Sequence, residues 1–255
     1  MKEDVLLKFK LESGPAPIIH AAGELNYTNC DRLKGIITNN VDGAVLELDL
    51  AGLEFVDSSG LRILLTGARD AMKQGATLRI VSMNRQFRHI LDLSGLGHLF
   101  EIAPGACAPE APLSVCRPVV SPYTFHVLCD GNACHDVRKV VREFAAGMGF
   151  DDVALDDISL AVGEAASNAV RHGNSHGATV EIDCRAEGCR LSLALRYPSD
   201  AFDPDSLPVP DMGAAPSGGM GVYFMRLVMD RVHYDFGDGC ALLTLEKNMG
   251  LAELM

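Results

Sequence analysis

The chain has 255 residues, 48% apolar and 22% charged, with 25 Gly, 8 Cys, no Trp and a formal net charge of −12. That apolar content buries a core and excludes a disordered chain, and the length allows one large domain or two modest ones. The acidic balance excludes a general nucleic-acid surface, which needs Lys and Arg to displace counterions, and no run of about 18 apolar residues marks a membrane span.

The charge is unevenly divided. Residues 1–105 carry 11 Lys/Arg against 13 Asp/Glu, whereas residues 106–255 carry 11 against 21. Between the halves Pro104, Gly105, Pro109, Pro112, Pro118 and Pro122 interrupt both helix and central strand, which reads as a linker over 104–121. Two α/β domains are expected, 1–103 and 122–248, with no repeat between them.

In the first half, Ala44 to Leu50 alternates like a half-buried strand. Asp57-Ser58-Ser59-Gly60 then introduces Leu61, Ile63, Leu64, Leu65 and Ala68 at helical spacing, with Asp or Ser as cap. Thr77–Val81 reads as a strand, and Phe87, Ile90, Leu91 and Leu93 as a helix closed by Ser94-Gly95. In the second half, a strand over Thr124–Leu128 precedes a helix marked by Val137, Val140, Val141, Phe144 and Ala145. A longer helix runs from about Asp156 to His172, followed by strands near Thr179–Cys184 and Arg190–Tyr197. The Pro/Asp/Gly-rich stretch Pro198–Gly219 is long for a connection and reads as a lid or an unstructured loop. A helix at Val222–Met229 and strands at Val232–Phe236 and Ala241–Glu246 complete the chain.

Three groups carry chemistry. Ser58 opens a helix, where a phosphate would meet free amides and the positive end of the dipole. It would add about −1.5 to −2 charge to a nearly neutral domain; the plain alternative is an Asp-Ser-Ser helix cap. Glu164, Asn168 and His172 lie four residues apart, along one helix face. A carboxylate there suits proton acceptance and an amide oxygen suits Mg²⁺, while the plain alternative is a polar helix edge. Gly218, Gly219 and Gly221 precede a helix and let amides approach a phosphate, or form an ordinary loop end.

The run "LELDLAGLEFVDSSGLRILLTGARDAMKQGATLRIVSMNRQFRHILDLSGLGHLF", with Gly23-Glu24-Leu25-Asn26 upstream, resembles the STAS domain of bacterial anti-sigma factor antagonists. The likeness spans nearly all of 1–103 and implies that Ser58 is a phosphate acceptor; Asn26 stands where that family commonly has Asp. "DDISLAVGEAASNAVRHG" and "GGMGVYFMRLVMDRVHY" resemble the N box and glycine box of the GHKL-type ATPase domain of anti-sigma factor serine kinases, over roughly 122–248. That likeness implies a Bergerat-type α/β sandwich binding ATP and Mg²⁺. Glu164 would be the general base and Asn168 the Mg²⁺ ligand, with Gly218, Gly219 and Gly221 as phosphate cradle and His172 in support. Where the family usually has Asp-x-Gly for adenine, aligning Phe202-Asp203 puts Tyr197 and Ser199, with Asp200 nearby. No Lys or Arg occurs from Tyr197 through Met225.

Two functions follow from the resemblance. One is a partner-switching regulator that transfers the ATP γ-phosphate to a serine, its own Ser58 or that of a separate antagonist. The other is a non-catalytic scaffold that binds a sigma factor, an anti-sigma factor or a STAS partner. The implied partners extend to a serine phosphatase and a second copy of the chain, with no direct nucleic acid and no membrane. Met1 to Lys8 holds no uninterrupted apolar run, so no secretory signal is seen. The eight cysteines are scattered without a C-x-x-C, which reads as reduced thiols of a cytoplasmic protein rather than a metal site.

Overall fold

A computed structural model describes residues 7–14, 16–41, 45–107, 121–129, 132–172, 178–207 and 219–249. The chain forms two compact units, the first ending among the described residues at Cys107 and the second beginning at Ser121.

The first unit is a five-stranded sheet in chain order: β1 (Lys8–Glu12), β2 (Ile18–Leu25), β3 (Val45–Val56), β4 (Thr77–Met83) and β5 (Glu101–Ile102). Only β1 runs antiparallel to its neighbour; β2 to β5 are parallel. Three helices make the crossovers: α1 (Cys30–Asn40), α2 (Ser58–Lys73) and α3 (Arg85–Ser94). Leu46, Leu48 and Leu50 of β3 are buried at alternate positions, as a period of two requires. The matching face of α2 supplies Leu61, Leu64, Leu65, Ala68 and Ala71. Asn84 caps α3 by accepting from Phe87 N at 2.8 Å, and Gly95 ends it with φ of +67°. Pro104 and Gly105 form a turn rather than an open linker. Beyond them Met83 N donates to the Ala106 carbonyl at 2.7 Å, and Cys107 bridges Met83 in parallel. Residues 108–120 of the expected linker lie outside the described residues.

The second unit is an antiparallel sheet of order β6-β7-β8-β10-β9: β6 (Tyr123–Leu128), β7 (Thr179–Glu187), β8 (Arg190–Pro198), β9 (Arg231–Gly237) and β10 (Cys240–Asn248). Its register lines up Phe125, Ile182, Leu195, Leu243 and Tyr234 across all five strands. Helices α4 (Ala133–Met148), α5 (Asp152–His172) and α6 (Met220–Val228) complete the unit. The central helix, α5, packs on α4 and α6 and also meets β8 and β10. It begins at Asp152, four residues before the sequence reading, with Asp151 Oδ1 accepting from Ala154 N at 2.8 Å.

Buried in α5 are three acids, Asp156, Asp157 and Glu164. Arg142 of α4 donates to Asp156 at 2.9 Å. Lys247 of β10 donates to Asp157 at 2.8 Å and to the Val228 carbonyl at the end of α6 at 2.6 Å. A buried carboxylate is stable when a positioned cation meets it and costly when that partner is removed. Lys247→Ala is therefore expected to lower unfolding free energy by about 3 kcal/mol, read from the urea midpoint.

The seven described cysteines are free thiols; Cys30, Cys134 and Cys184 are buried, Cys107 and Cys189 exposed. Burial, aided by the neighbouring Asp183 charge, pushes the Cys184 thiol up to about 12. Because the thiolate is the nucleophile, iodoacetamide at pH 8 is expected to modify Cys107 and Cys189 in the folded protein. Cys184 should react only after denaturation, a difference read by peptide mass spectrometry.

Candidate functional site

In the first unit, Ser58 is the first residue of α2. Asp57 precedes it in extended conformation and ties three segments together. Its Oδ1 accepts from Gly60 N at 2.8 Å, its Oδ2 from Tyr27 N at 3.0 Å, and its own amide donates to the Leu25 carbonyl at 3.1 Å. Gly60 has a different constraint. A Cβ there would stand 2.6 Å from the Leu25 carbonyl oxygen and 2.7 Å from Leu25 Cγ. The helix start is thus seated on the end of β2, and Ser58 is 8% exposed at its rim.

A turn that the sequence reading did not single out lies beside it. Asn26 Oδ1 accepts from Thr28 N at 3.0 Å and Thr28 Oγ1 at 2.6 Å. Asn29 Oδ1 accepts from Asn26 N at 3.0 Å, and its Nδ2 donates to the Glu24 carbonyl at 2.8 Å. Asn26 uses its oxygen only as an acceptor in these bonds, a role a carboxylate fills equally. The clue was the polar run Asn26-Tyr27-Thr28-Asn29, whose side chains favour Asx-type turns.

In the second unit, the two motifs converge although 57 residues separate Glu164 from Gly221. A Cβ on Gly221 would stand 2.7 Å from Glu164 Oε2 and 3.6 Å from Asn168 Oδ1. The first turn of α6 therefore lies directly on the Glu164 carboxylate, which is 1% exposed, with the half-buried Asn168 beside it. Gly219 caps α6 with φ of +78°, a left-handed conformation that glycine adopts without strain. Gly218 falls outside the described residues.

His172 is the last residue of α5 and exposed. Desolvation, and then the adjacent Arg171 charge, hold its ring below the ordinary histidine value. The described bonds do not link it to Glu164 or Gly221, so the structure groups Glu164, Asn168 and Gly221 and leaves His172 at the helix end. Tyr197, near the end of β8, is 2% exposed, and burial pushes its hydroxyl far above the usual phenol value. Ser199 is buried, with its amide donating to the Gly239 carbonyl at 3.1 Å; Asp200 is exposed.

The sequence reading missed the aromatic cluster that meets Tyr197. Tyr234 of β9 is 8% exposed. Its ring lies between Phe202, edge-on at 5.2 Å, and Phe236, stacked at 5.9 Å. The signal lies in the strand Val232–Phe236, where Tyr234 and Phe236 are two apart and so share a face. Arg226, just beyond the cation-free stretch, is held by Asp205 at 2.5 Å. Among the described residues no group of three or more His, Cys, Asp or Glu forms a metal cluster. A cation at this site would take its remaining ligands from whatever anion it accompanies.

Gly60→Ala is expected to lower stability by roughly 2 kcal/mol, because the methyl meets a backbone carbonyl and not a movable side chain. Differential scanning calorimetry reads the change.

Residues 11–102 match the family model of the STAS domain of the Mlab type, and residues 130–247 match that of the histidine kinase-like ATPase domain. The serine-protein kinase RsbW of Bacillus licheniformis is 30% identical over 115 residues, covering 40% of this chain and 71% of the relative. A putative anti-sigma factor antagonist, BtrV of Bordetella bronchiseptica, is 26% identical over 98 residues, covering 38% of this chain and 84% of the relative. The crystal structure of RsbU and RsbW domains from Mycobacterium tuberculosis is 20% identical, with a TM-score of 0.39. That match covers half of this chain and spans only about a third, 32%, of the other.

Proposed function

This chain belongs to the RsbW serine-protein kinase family through its second unit and carries a STAS domain ahead of it, and from that premise we infer a partner-switching regulator with a kinase-like and a phosphorylatable half. The observation that carries the reading is the seating of Gly221 on Glu164 and Asn168. It joins a buried carboxylate, an amide oxygen and a helix N-terminus in one place. The helix N-terminus favours an anion, the two side-chain oxygens suit a hard cation, and the missing side chain of Gly221 lets α6 close onto both oxygens. These features fit Mg²⁺-ATP at its phosphate end.

Bound Mg²⁺-ATP would supply the γ-phosphoryl group, with ADP as leaving group. For the protein's part, Glu164 accepts the proton released as a serine hydroxyl attacks. Asn168 Oδ1 would contribute a neutral metal ligand, and the amides at Gly219 and Gly221 would be the donors to the phosphates. By the resemblance alone, His172 has a supporting role and Gly218 belongs to the phosphate-binding glycines. Ser58 is the acceptor in the STAS unit, or a serine of a separate antagonist takes that place. Sigma and anti-sigma factors are the partners, a serine phosphatase reverses the mark, a second copy completes a homodimer, and the protein acts in the cytoplasm.

A second reading, a non-catalytic scaffold, has its own observation. Tyr197, 2% exposed, stands where the resemblance expects an adenine-binding carboxylate, and Arg226 beyond the cation-free stretch is engaged by Asp205. Radiolabelled ATP separates the two. Kinase function is expected to label the wild type, with labelling lost in Ser58→Ala and lowered at least about 100-fold in Glu164→Gln. Labelling that persists in Ser58→Ala with a STAS partner absent removes Ser58 as acceptor. No labelling and no calorimetric binding of Mg²⁺-ATP by the wild type leaves the scaffold.

A further inference from the structure

The Tyr234 hydroxyl is a buried polar atom with no hydrogen-bond partner. Its surroundings are polar all the same. The Asn168 side chain and the Tyr197 hydroxyl approach it closely enough to act as weak donors to its oxygen, and the Arg226 and Glu164 charges reach it, but no contact has the distance and angles of a full hydrogen bond. Leaving a hydroxyl buried and unsatisfied is costly, and such an atom calls for an explanation in what the site binds.

Register explains how it comes to be there. Across β10, Leu243 stands between Leu195 and Tyr234, and Ala241 between Tyr197 and Phe236. The single methyl of Ala241 leaves room for the two tyrosines to approach diagonally over the strand. Phe202 and Phe236 fix the Tyr234 ring, so the hydroxyl is held toward α5. Burial keeps it protonated, its pKa pushed up to about 12, so at neutral pH it has a proton to donate.

We propose that Tyr234 is a ligand-binding residue of the site at Glu164, Asn168 and Gly221, donating its hydroxyl proton to a phosphate oxygen of a nucleoside triphosphate. The proposal rests on the nucleotide reading above and extends it. It adds a donor where the sequence supplies few cations: the stretch Tyr197 to Met225 holds no Lys or Arg, and the next cation, Arg226, pairs with the exposed Asp205 while its charge reaches Tyr234. A tyrosine gives a directed donor without a formal charge. It adds to the α6 amides and stands free of the ion pairs that hold α5 in place.

Tyr234→Phe removes one oxygen and keeps the ring. Calorimetric titration of the full chain with Mg²⁺-ATP is expected to show binding weakened about 10-fold or more. The thermal midpoint without nucleotide should be unchanged or raised, since the variant buries no orphan hydroxyl. Equal affinity of variant and wild type overturns the role of Tyr234 and leaves the nucleotide site standing. Weaker binding together with a lowered midpoint of the free protein assigns the residue to structure, and overturns the proposal too. A wild type that binds no Mg²⁺-ATP overturns both the proposal and the reading beneath it.

Discussion

The second unit depends on the absence of a single side chain. Because Gly221 has no Cβ, the start of α6 reaches the Glu164 carboxylate. Any other residue would push the two apart and separate the amides from the acid. The contact also needs α5 to be rigid, since Glu164 projects from the middle of that helix. Rigidity comes from its other acids: Arg142 secures Asp156 from α4, and Lys247 secures Asp157 from β10 while capping the end of α6. Two acids are thus spent on architecture so that a third can be held, almost wholly buried, against glycine.

The first unit solves a different problem with the same economy of parts. Its helix start is fixed by Asp57, which binds Gly60, Tyr27 and Leu25 at once. Both Asp57 and Gly60 have structural reasons to be what they are, and neither reason requires Ser58. Ser58 stands between them as the first residue of α2, 8% exposed. The unit around it is close to neutral, with 11 Lys/Arg and 13 Asp/Glu over residues 1–105, so an added phosphate is a large fractional change in its field. The second unit carries most of the acid, and that is the background against which a neutral donor such as Tyr234 gains its value.

Much of this was legible in the sequence where burial is strong and periodic. The strands read at Ala44–Leu50 and Ala241–Glu246 and the helix carrying Glu164 announce themselves by alternation or by four-residue spacing, whereas the continuation of β3 to Val56 does not, because the exposed Ala51 and Gly52 break the alternation. β1 does not, because Lys8, Lys10 and Glu12 leave an edge strand that is mostly exposed. α1 does not either: its Asp, Arg, Lys, Thr and two Asn dilute an apolar stripe that amounts to Cys30, Leu33 and Ile37. The extra turn at the start of α5 is less plain, because Asp152 and the exposed Val153 lie outside the buried stripe of that helix. Glu164, Asn168 and Gly221 were readable as two motifs, but their contact was not, since it depends on how α6 packs on α5. Tyr234 was least visible of all. Its position beside Asn168 follows from β9 pairing with β10, a register no local pattern encodes.

The tight fit of Gly60 on Leu25 has a mechanical side. With a carbonyl oxygen only 2.6 Å from where a methyl would sit, α2 has no room to slide toward the sheet. With Asp57 bonded to Leu25 and Tyr27, it has little freedom to draw back. Were Ser58 to carry a phosphate, the helix itself would have little room to move in response, and the change at that surface would be one of charge more than of contour.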